Sequence, residues 1–261
     1  MKLAVSGKGG VGKTTFSALL ARGLSSKGYK VVAIDADPDS NLSAALGIPA
    51  HMIAQAKPLT AMDDLIEERT GAKPGERGGF FKLNPHVADI PERFSLKIDN
   101  VSVLTLGRCK KGGSGCYCAE NVMVKRLIDH LLLKEGEVLV IDMEAGIEHL
   151  SRGTAASVNA LISVIEPGMR SVETAQRVND LAKDLGVPRH FVVANKVNGE
   201  KDKEFLASVL PDYEFLGFLP YDPRLLDADR EGKSPYLQSS EITAEMEIIL
   251  EKLLNRFKPG D

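Results

Sequence analysis

Ten residues near the N-terminus carry the densest chemistry in the chain. Ser6-Gly7-Lys8-Gly9-Gly10-Val11-Gly12-Lys13-Thr14-Thr15 satisfies the phosphate-loop pattern G-x-x-x-x-G-K-[ST] through Gly7, Gly12, Lys13 and Thr14. Glycines at this spacing let backbone N–H groups turn inward around a phosphate with no Cβ in the way. A helix predicted to begin at Lys13 adds its positive N-terminal end. Lys13 is expected to reach the β- and γ-phosphates, and Thr14 to offer its hydroxyl to Mg²⁺. Gly7, Gly9, Gly10, Val11, Gly12, Lys13, Thr14 and Thr15 are therefore the expected ATP/ADP-binding residues. Gly7, Gly9 and Gly12 also fit G-x-G-x-x-G, with Asp35 ending the next strand as a dinucleotide site requires. Lys13-Thr14 has no task in such a site, and a second acid, Asp37, follows Asp35. The triphosphate reading is preferred.

Carboxylates follow at the ends of two apolar runs. Val31–Ile34 leads into Asp35, Asp37 and Asp39. An acid at the carboxyl end of a parallel strand faces the ligand crevice. Asp35 is expected near Mg²⁺ or the loop, and Asp39 is read as a turn residue. Val138–Ile141 ends in Asp142, which is expected to hold Mg²⁺ through water, because that ion keeps most of its hydration shell. An N-cap role for Asp142 stays open. Gly146 can serve as a hinge, and His149 is read as structural. Phe191–Lys196 ends in Asn-Lys. Position 198 is Asn where a guanine-reading motif needs an acid, so ATP is favoured over GTP.

Cys116 and Cys118 form the second informative patch, in a glycine-rich loop with Lys110 and Lys111 before it. Residues i and i+2 of extended backbone face the same way, so both thiolates can approach one soft metal ion. A closed Zn²⁺ site wants four ligands, and a two-fold dimer supplies them from one patch on each chain. The lysines and a nearby helix N-terminus favour thiolate. An ordinary pair of surface thiols stays open. A disulfide between residues this close is strained, and three cysteines fit a reducing cytoplasm, the expected location. Cys109 is read as an incidental thiol.

The elements that must position these groups alternate. Predicted strands are 2–6, 30–35, 101–106, 138–142, 161–165, 190–195 and 214–218, and predicted helices are 13–27, 119–133, 171–185, 203–210 and 243–257. That order predicts an α/β single-domain P-loop NTPase fold over 1–261, a mostly parallel sheet with helices on both faces. Residues 67–100 break the rhythm and are expected to be an irregular insertion, with a short hairpin pairing Phe80–Leu83 and Phe94–Ile98. It is either a surface excursion or a partner-docking element. A Cys-x-Cys metal loop is expected at about 108–119. With 43% hydrophobic and 26% charged residues the chain is of globular type. A net charge of −3, 5% aromatics and no Trp argue against a nucleic-acid partner. No apolar run suits a membrane span, and Met1-Lys2 lead directly into a strand, so no membrane partner or leader is expected.

Lys8-Gly9-Gly10-Val11-Gly12-Lys13-Thr14-Thr15 resembles the deviant Walker A loop of the MinD, ParA and nitrogenase-iron-protein class. The resemblance implies a nucleotide-sandwich homodimer in which Lys8 reaches the partner's phosphates. It implies that Asp37 orients the attacking water and accepts its proton, and that residues 143–149 form a second switch. It also implies that Asn195 meets the adenine edge and that Leu219-Pro220-Tyr221, with Pro220 in the contact, forms the base loop. Gly112-Gly113-Ser114, Cys116-Tyr117-Cys118, Glu120-Asn121, Asp142-Met143, Ala145–Leu150, Arg152-Gly153-Thr154 and Ile165-Glu166-Pro167 are similar to the carbon monoxide dehydrogenase maturation ATPases, the CooC family. The likeness runs from Met1 to about Tyr221. It implies one Ni²⁺ or Zn²⁺ held between two Cys-x-Cys segments of a dimer, ATP turnover accompanying nickel insertion, and carbon monoxide dehydrogenase as client. Two other functions stay open. One is a positioning ATPase of the MinD or ParA type, although the amphipathic segment 248–258 reads more simply as a packed helix. The other is an iron–sulfur electron-transfer ATPase, whose cysteines lie farther apart than these.

Overall fold

The computed structural model describes residues 1–37, 39–72, 82–107, 122, 123, 126–128, 136–143 and 158–258. Eight strands among them join one sheet: β1 (Lys2–Ser6), β2 (Lys30–Asp35), β3 (Leu96–Ile98), β4 (Val101–Thr105), β5 (Glu137–Asp142), β6 (Ala160–Ile165), β7 (His190–Val197) and β8 (Glu214–Pro220). Their spatial order is β3-β4-β2-β5-β1-β6-β7-β8, and all neighbours are parallel except β3 with β4. The strands read as near-continuous apolar runs because both faces are covered: β6, Ala-Leu-Ile-Ser-Val-Ile, is buried at every position.

Period-two alternation sends neighbouring side chains to opposite cores. Leu3 and Val5 of β1, with Val138 and Val140 of β5, face helices α1 (Lys13–Ser26) and α9 (Ser240–Asn255). Phe16, Leu19, Leu20 and Leu24 of α1 meet Met246, Ile249 and Leu250 of α9 in that layer. Ala4, Leu139 and Ile141 face the other way, toward α4 (Asp63–Thr70), α5 (Ile90–Phe94) and α6 (Met169–Leu185). A third cluster seats α7 (Glu200–Val209) on β7 through Leu206 and Val197. Each fully buried Leu or Phe contributes about 1.5–3 kcal/mol. The rigid α1 layer thus holds the phosphate loop from below. The described residues also hold short helices α2 (Leu42–Ala45), α3 (Ala50–Gln55) and α8 (Pro223–Arg230), and a 3-10 turn spans Leu59–Ala61.

The predicted α/β class and parallel sheet are present. β1 and β2 occupy their predicted spans, and the other strands differ by one or two residues at an end. α9 starts at Ser240, earlier than the expected 243, because Ser239 caps it by accepting from the Ile242 N–H. Of the helix expected at 119–133, residues 122, 123 and 126–128 are described, and they are helical.

The segment 67–100 needs correction. It holds the end of α4, all of α5 and β3, and it buries Val87 and Ile90 in the core. Of the first arm of the hairpin expected between Phe80–Leu83 and Phe94–Ile98, Phe80 and Phe81 lie outside the described residues, and Lys82 and Leu83 are not in a strand. Leu96–Ile98 pairs with Val101–Val103 instead, across a two-residue turn at Asp99-Asn100. Asp99 takes the left-handed conformation there (φ 48°), which a short polar side chain tolerates. Asp89 ties the segment down, accepting from Arg69 at 2.7 Å and from Arg93 at 2.9 Å. Residues 73–81 lie outside the described residues.

Candidate nucleotide site

The phosphate loop spans the six residues between β1 and α1. Its shape depends on two glycines. Gly7 has φ 150°, and a Cβ there would lie 2.2 Å from the Val164 carbonyl oxygen. Gly12 has φ 93°, and a Cβ there would lie 2.3 Å from Asn195 Nδ2. Val11 is fully buried and anchors the loop in the core. Gly12 occupies the N-cap position of α1 with no side-chain cap, so the first N–H groups of the helix have no local partner. That arrangement suits an anion. Lys13 is 7% exposed, and its Nζ lies 3.4 Å from the Lys8 carbonyl. The Val11 N–H faces the same oxygen at 3.4 Å. Lys8 itself is half-buried.

Asp142 sits one strand from the loop and Asp35 two. Asp35 and Asp142 are register partners at the carboxyl ends of β2 and β5. Asp142 is 0% exposed; its Oδ1 accepts from the Ser17 hydroxyl at 2.9 Å, and its Oδ2 is buried without a hydrogen bond. Burial pushes its carboxyl up to about 6, against the Thr14 and Ser17 hydroxyls and the Lys13 charge, while nearby Asp37 pushes the same way as burial. A carboxylate oxygen left without a donor, beside a threonine hydroxyl, fits the hydration shell of Mg²⁺.

Asp35 stands beside Asp142 and has a further task that the sequence does not announce. Its Oδ2 accepts from the Leu42 N–H at 2.9 Å, and its Oδ1 from the Asp37 N–H at 3.3 Å. Both oxygens hold the turn that carries Asp37. Burial pushes its carboxyl to about 7, and Asp142 and Asp37 add to the rise. Asp37 is half-buried, and its Oδ1 accepts from the Asp39 N–H at 2.9 Å in an Asx turn. Asp39 is exposed within that turn.

Beside the loop lies a cavity of about 400 Å³ lined by Gly12, Thr14, Thr15, Asn41, Ala44, Asn195, Pro220, Tyr221 and Leu225 among others. Asn195 is 7% exposed and spends its Nδ2 on the Val11 carbonyl at 2.8 Å, so a base contact falls to its Oδ1. Pro220 ends β8 on the cavity wall. Asp222 caps α8 through the Arg224 N–H and accepts from the Arg224 guanidinium at 2.7 Å, which fixes the wall below Tyr221.

The fold therefore gathers Gly7–Thr15, Asp37, Asp142, Asn195 and Pro220 along one rim. Reading by motif missed Ser17 and Lys196. Ser17 sits four residues after Lys13, hence on the same helix face, and that spacing was a usable signal. Lys196 donates to the Gly10 carbonyl at 2.6 Å, a contact between distant segments that no spacing announces. Cys109, Cys116, Cys118, Gly146 and His149 lie outside the described residues. Among the described residues no group of three or more His, Cys, Asp or Glu could hold a metal ion, and no helix is long and apolar enough to cross a membrane.

Residues 2–236 match the CobQ/CobB/MinD/ParA nucleotide binding domain. The chain is 43% identical over 259 residues to the carbon monoxide dehydrogenase accessory protein CooC of Rhodospirillum rubrum, covering 99% of this chain and 98% of that one. It is also 43% identical to an ATP-binding protein of Methanocaldococcus jannaschii, covering 92% of each. The Pyrococcus furiosus cell division ATPase MinD shares the fold, with a TM-score of 0.70 at 22% identity over 98% of this chain and 99% of that one. With the phosphate loop, the paired acids and the adjoining cavity on one rim, the chain belongs to the CobQ/CobB/MinD/ParA nucleotide-binding family, in the branch of the CooC accessory proteins, and is a P-loop ATP hydrolase.

Proposed function

We propose that this ATPase works as a nucleotide-dependent homodimer that carries Ni²⁺ or Zn²⁺ between two Cys116-x-Cys118 pairs and assists nickel insertion into carbon monoxide dehydrogenase. The observation that carries the reading is the 43% identity to the CooC accessory protein over 99% of this chain, together with the Cys116-Tyr117-Cys118 sequence here. The metal is cargo here.

In this reading Lys13 and the loop N–H groups bind the β- and γ-phosphates. Thr14 would offer its hydroxyl to Mg²⁺ and Asp142 would hold the ion through water, and the ion would neutralise phosphate charge when bound. Asp37 takes the proton of the attacking water, and its turn is held for this by Asp35. Lys8 reaches the partner's phosphates, placing a positive charge where transition-state charge collects. Asn195 Oδ1 and Pro220 face the adenine. Closure of the dimer brings the cysteine pairs together, so nucleotide and metal share one reciprocal coupling free energy.

A membrane- or DNA-positioning role has less support. α9 turns Ile242, Met246, Ile249, Leu250 and Leu253 into the core, so the amphipathic C-terminal segment is already packed.

The test is a Ni²⁺ and Zn²⁺ titration with mass measured in parallel, with and without non-hydrolysable ATP. One metal per dimer is expected, lost in Cys116→Ala/Cys118→Ala and tightened by nucleotide. ATP-driven dimerisation that ignores metal would remove the metal-delivery reading and leave the ATPase.

A further inference from the structure

We infer that Lys196 is a positioning residue for phosphate binding, setting the Gly10–Val11 peptide of the loop while Glu166 holds it from the side. The inference rests on phosphate binding by this loop and is independent of the metal reading.

Lys196 Nζ donates to the Gly10 carbonyl at 2.6 Å and lies 3.4 Å from Glu166 Oε2. The next-door side chain, Asn195, donates to the next-door carbonyl, that of Val11, at 2.8 Å. Two consecutive residues of β7 thus grip two consecutive carbonyls of the loop. In a planar trans peptide the C=O and N–H point in opposite directions. Drawing the Gly10 carbonyl toward β7 turns the Val11 N–H away from it, and drawing the Val11 carbonyl does the same for the Gly12 N–H. The Val11 N–H then faces the Lys8 carbonyl at 3.4 Å, where Lys13 Nζ also lies at 3.4 Å. Both contacts are long for hydrogen bonds, and a phosphate oxygen, being charged, outcompetes a carbonyl for such donors.

The backbone at Lys196 is irregular in the same place. Its φ is 58°, in the left-handed region a lysine seldom adopts. The β7–β8 register shifts between Ala194 and Val197, directly across it. Strain of this kind persists where the surroundings over-determine the conformation, and it clusters at ligand sites. Folding does not need the contact. Gly10 is exposed, so its carbonyl can bond water, and the half-exposed pair with Glu166 contributes little to stability. What the contact adds is orientation.

The experiment uses the full-length chain with Lys196→Gly and Lys196→Met. Lys196→Gly removes the side chain and relieves the positive φ together. ADP and ATP binding are measured by calorimetry with Mg²⁺, adenosine binding by competition, and the unfolding temperature alongside. The expected result is ADP and ATP affinity weaker by about ten- to a hundredfold in both variants, the scale of a lost charged hydrogen bond. Adenosine affinity falls less than ADP and ATP affinity, Lys196 also standing on the cavity wall, and the unfolding temperature of Lys196→Gly is not lowered. ADP affinity within about threefold of wild type in both variants overturns the inference. So does an affinity loss that spreads equally to adenosine and follows a lowered unfolding temperature. A wild-type chain that binds no ADP would instead overturn the nucleotide site itself.

Discussion

Asp35 and Asp142 end neighbouring parallel strands in register, and both are buried, at 1% and 0% exposure. Their carboxyls are pushed up to about 7 and about 6 from an ordinary 3.8, burial being the main cause in each. A raised carboxyl pKa means the folded chain holds the proton more tightly than the unfolded chain. The stabilisation is complete below the ordinary value and is lost as pH climbs through the folded values. Without nucleotide, the contribution of these two acids to the unfolding temperature should therefore fall between about pH 4 and pH 7 and stay level above, read as the difference between wild type and Asp35→Asn or Asp142→Asn. Mg²⁺ with ATP should reduce that fall, because the cation offsets the charge that forms at Asp142. A flat profile in both conditions would contradict the pairing.

Asp37→Asn should leave ATP binding close to wild type, since the Asx turn needs only the side-chain oxygen that Asn keeps. Turnover should drop by about 10²- to 10⁴-fold, the usual contribution of a general base. Single-turnover hydrolysis with pre-bound ATP measures this, and unchanged turnover would remove Asp37 from the reaction.

Lys8 and Lys13 should separate cleanly. Lys13→Ala should abolish measurable ATP and ADP binding, because its buried ammonium is the loop's own charge. Lys8→Ala should bind nucleotide and fail to turn it over. Mixing Lys8→Ala with a chain that lacks Asp37 but keeps Lys8 should restore part of the activity if Lys8 acts across a dimer. No restoration at any mixing ratio would argue for action within one chain.

Gly12→Ala should weaken nucleotide binding by more than tenfold. The new Cβ meets Asn195 Nδ2 at 2.3 Å and forces a positive φ on alanine. Displacing Asn195 frees the Val11 carbonyl and opens the base cavity at once. The backbone strain alone costs on the order of 1–3 kcal/mol, visible in urea unfolding.

His190 sets an acid limit to stability. Its Nε2 meets the Ser163 hydroxyl at 2.8 Å and its Nδ1 meets Asn179 Oδ1 at 2.9 Å, a pairing made for the neutral ring. Burial, with Lys183 adding to it, lowers its pKa from 6.5 to about 4. The neutral ring's contribution is present above 6.5 and is lost as pH falls toward about 4. His190→Gln should remove that loss. The stability difference between variant and wild type should shift by roughly 3 kcal/mol over the window.

Much of the scaffold was legible because buried parallel strands are near-continuous apolar runs, and β1, β2 and β6 have little else in them. The phosphate loop and Asp142 were legible because both follow such runs at motif spacing. The β3–β4 hairpin was misread because three-residue β3 carries almost no periodic signal, while Phe80-Phe81 offered a stronger but misleading one. Asp35 was read as a ligand-side acid because sequence shows the residue and not its partners. Only the fold brings the Leu42 and Asp37 N–H groups onto its two oxygens. Lys196 was hidden for the same reason, 186 residues from the carbonyl it holds.

The strand order has one more consequence. β1 lies in the middle of the sheet, with acid-bearing β5 and β2 on one flank and β6, β7 and β8 on the other, the ends of β7 and β8 lining the cavity beside the loop. In the proposed mechanism the cleaving groups and the groups that would choose the nucleotide lie mainly on opposite sides of the loop that springs from β1, with Asn41 and Ala44 after β2 completing the cavity wall. Substitutions at Pro220 can then change which nucleotide is admitted while the cutting groups stay intact. Substitutions at Asp37 or Asp142 can silence cutting in a protein that still selects its fuel.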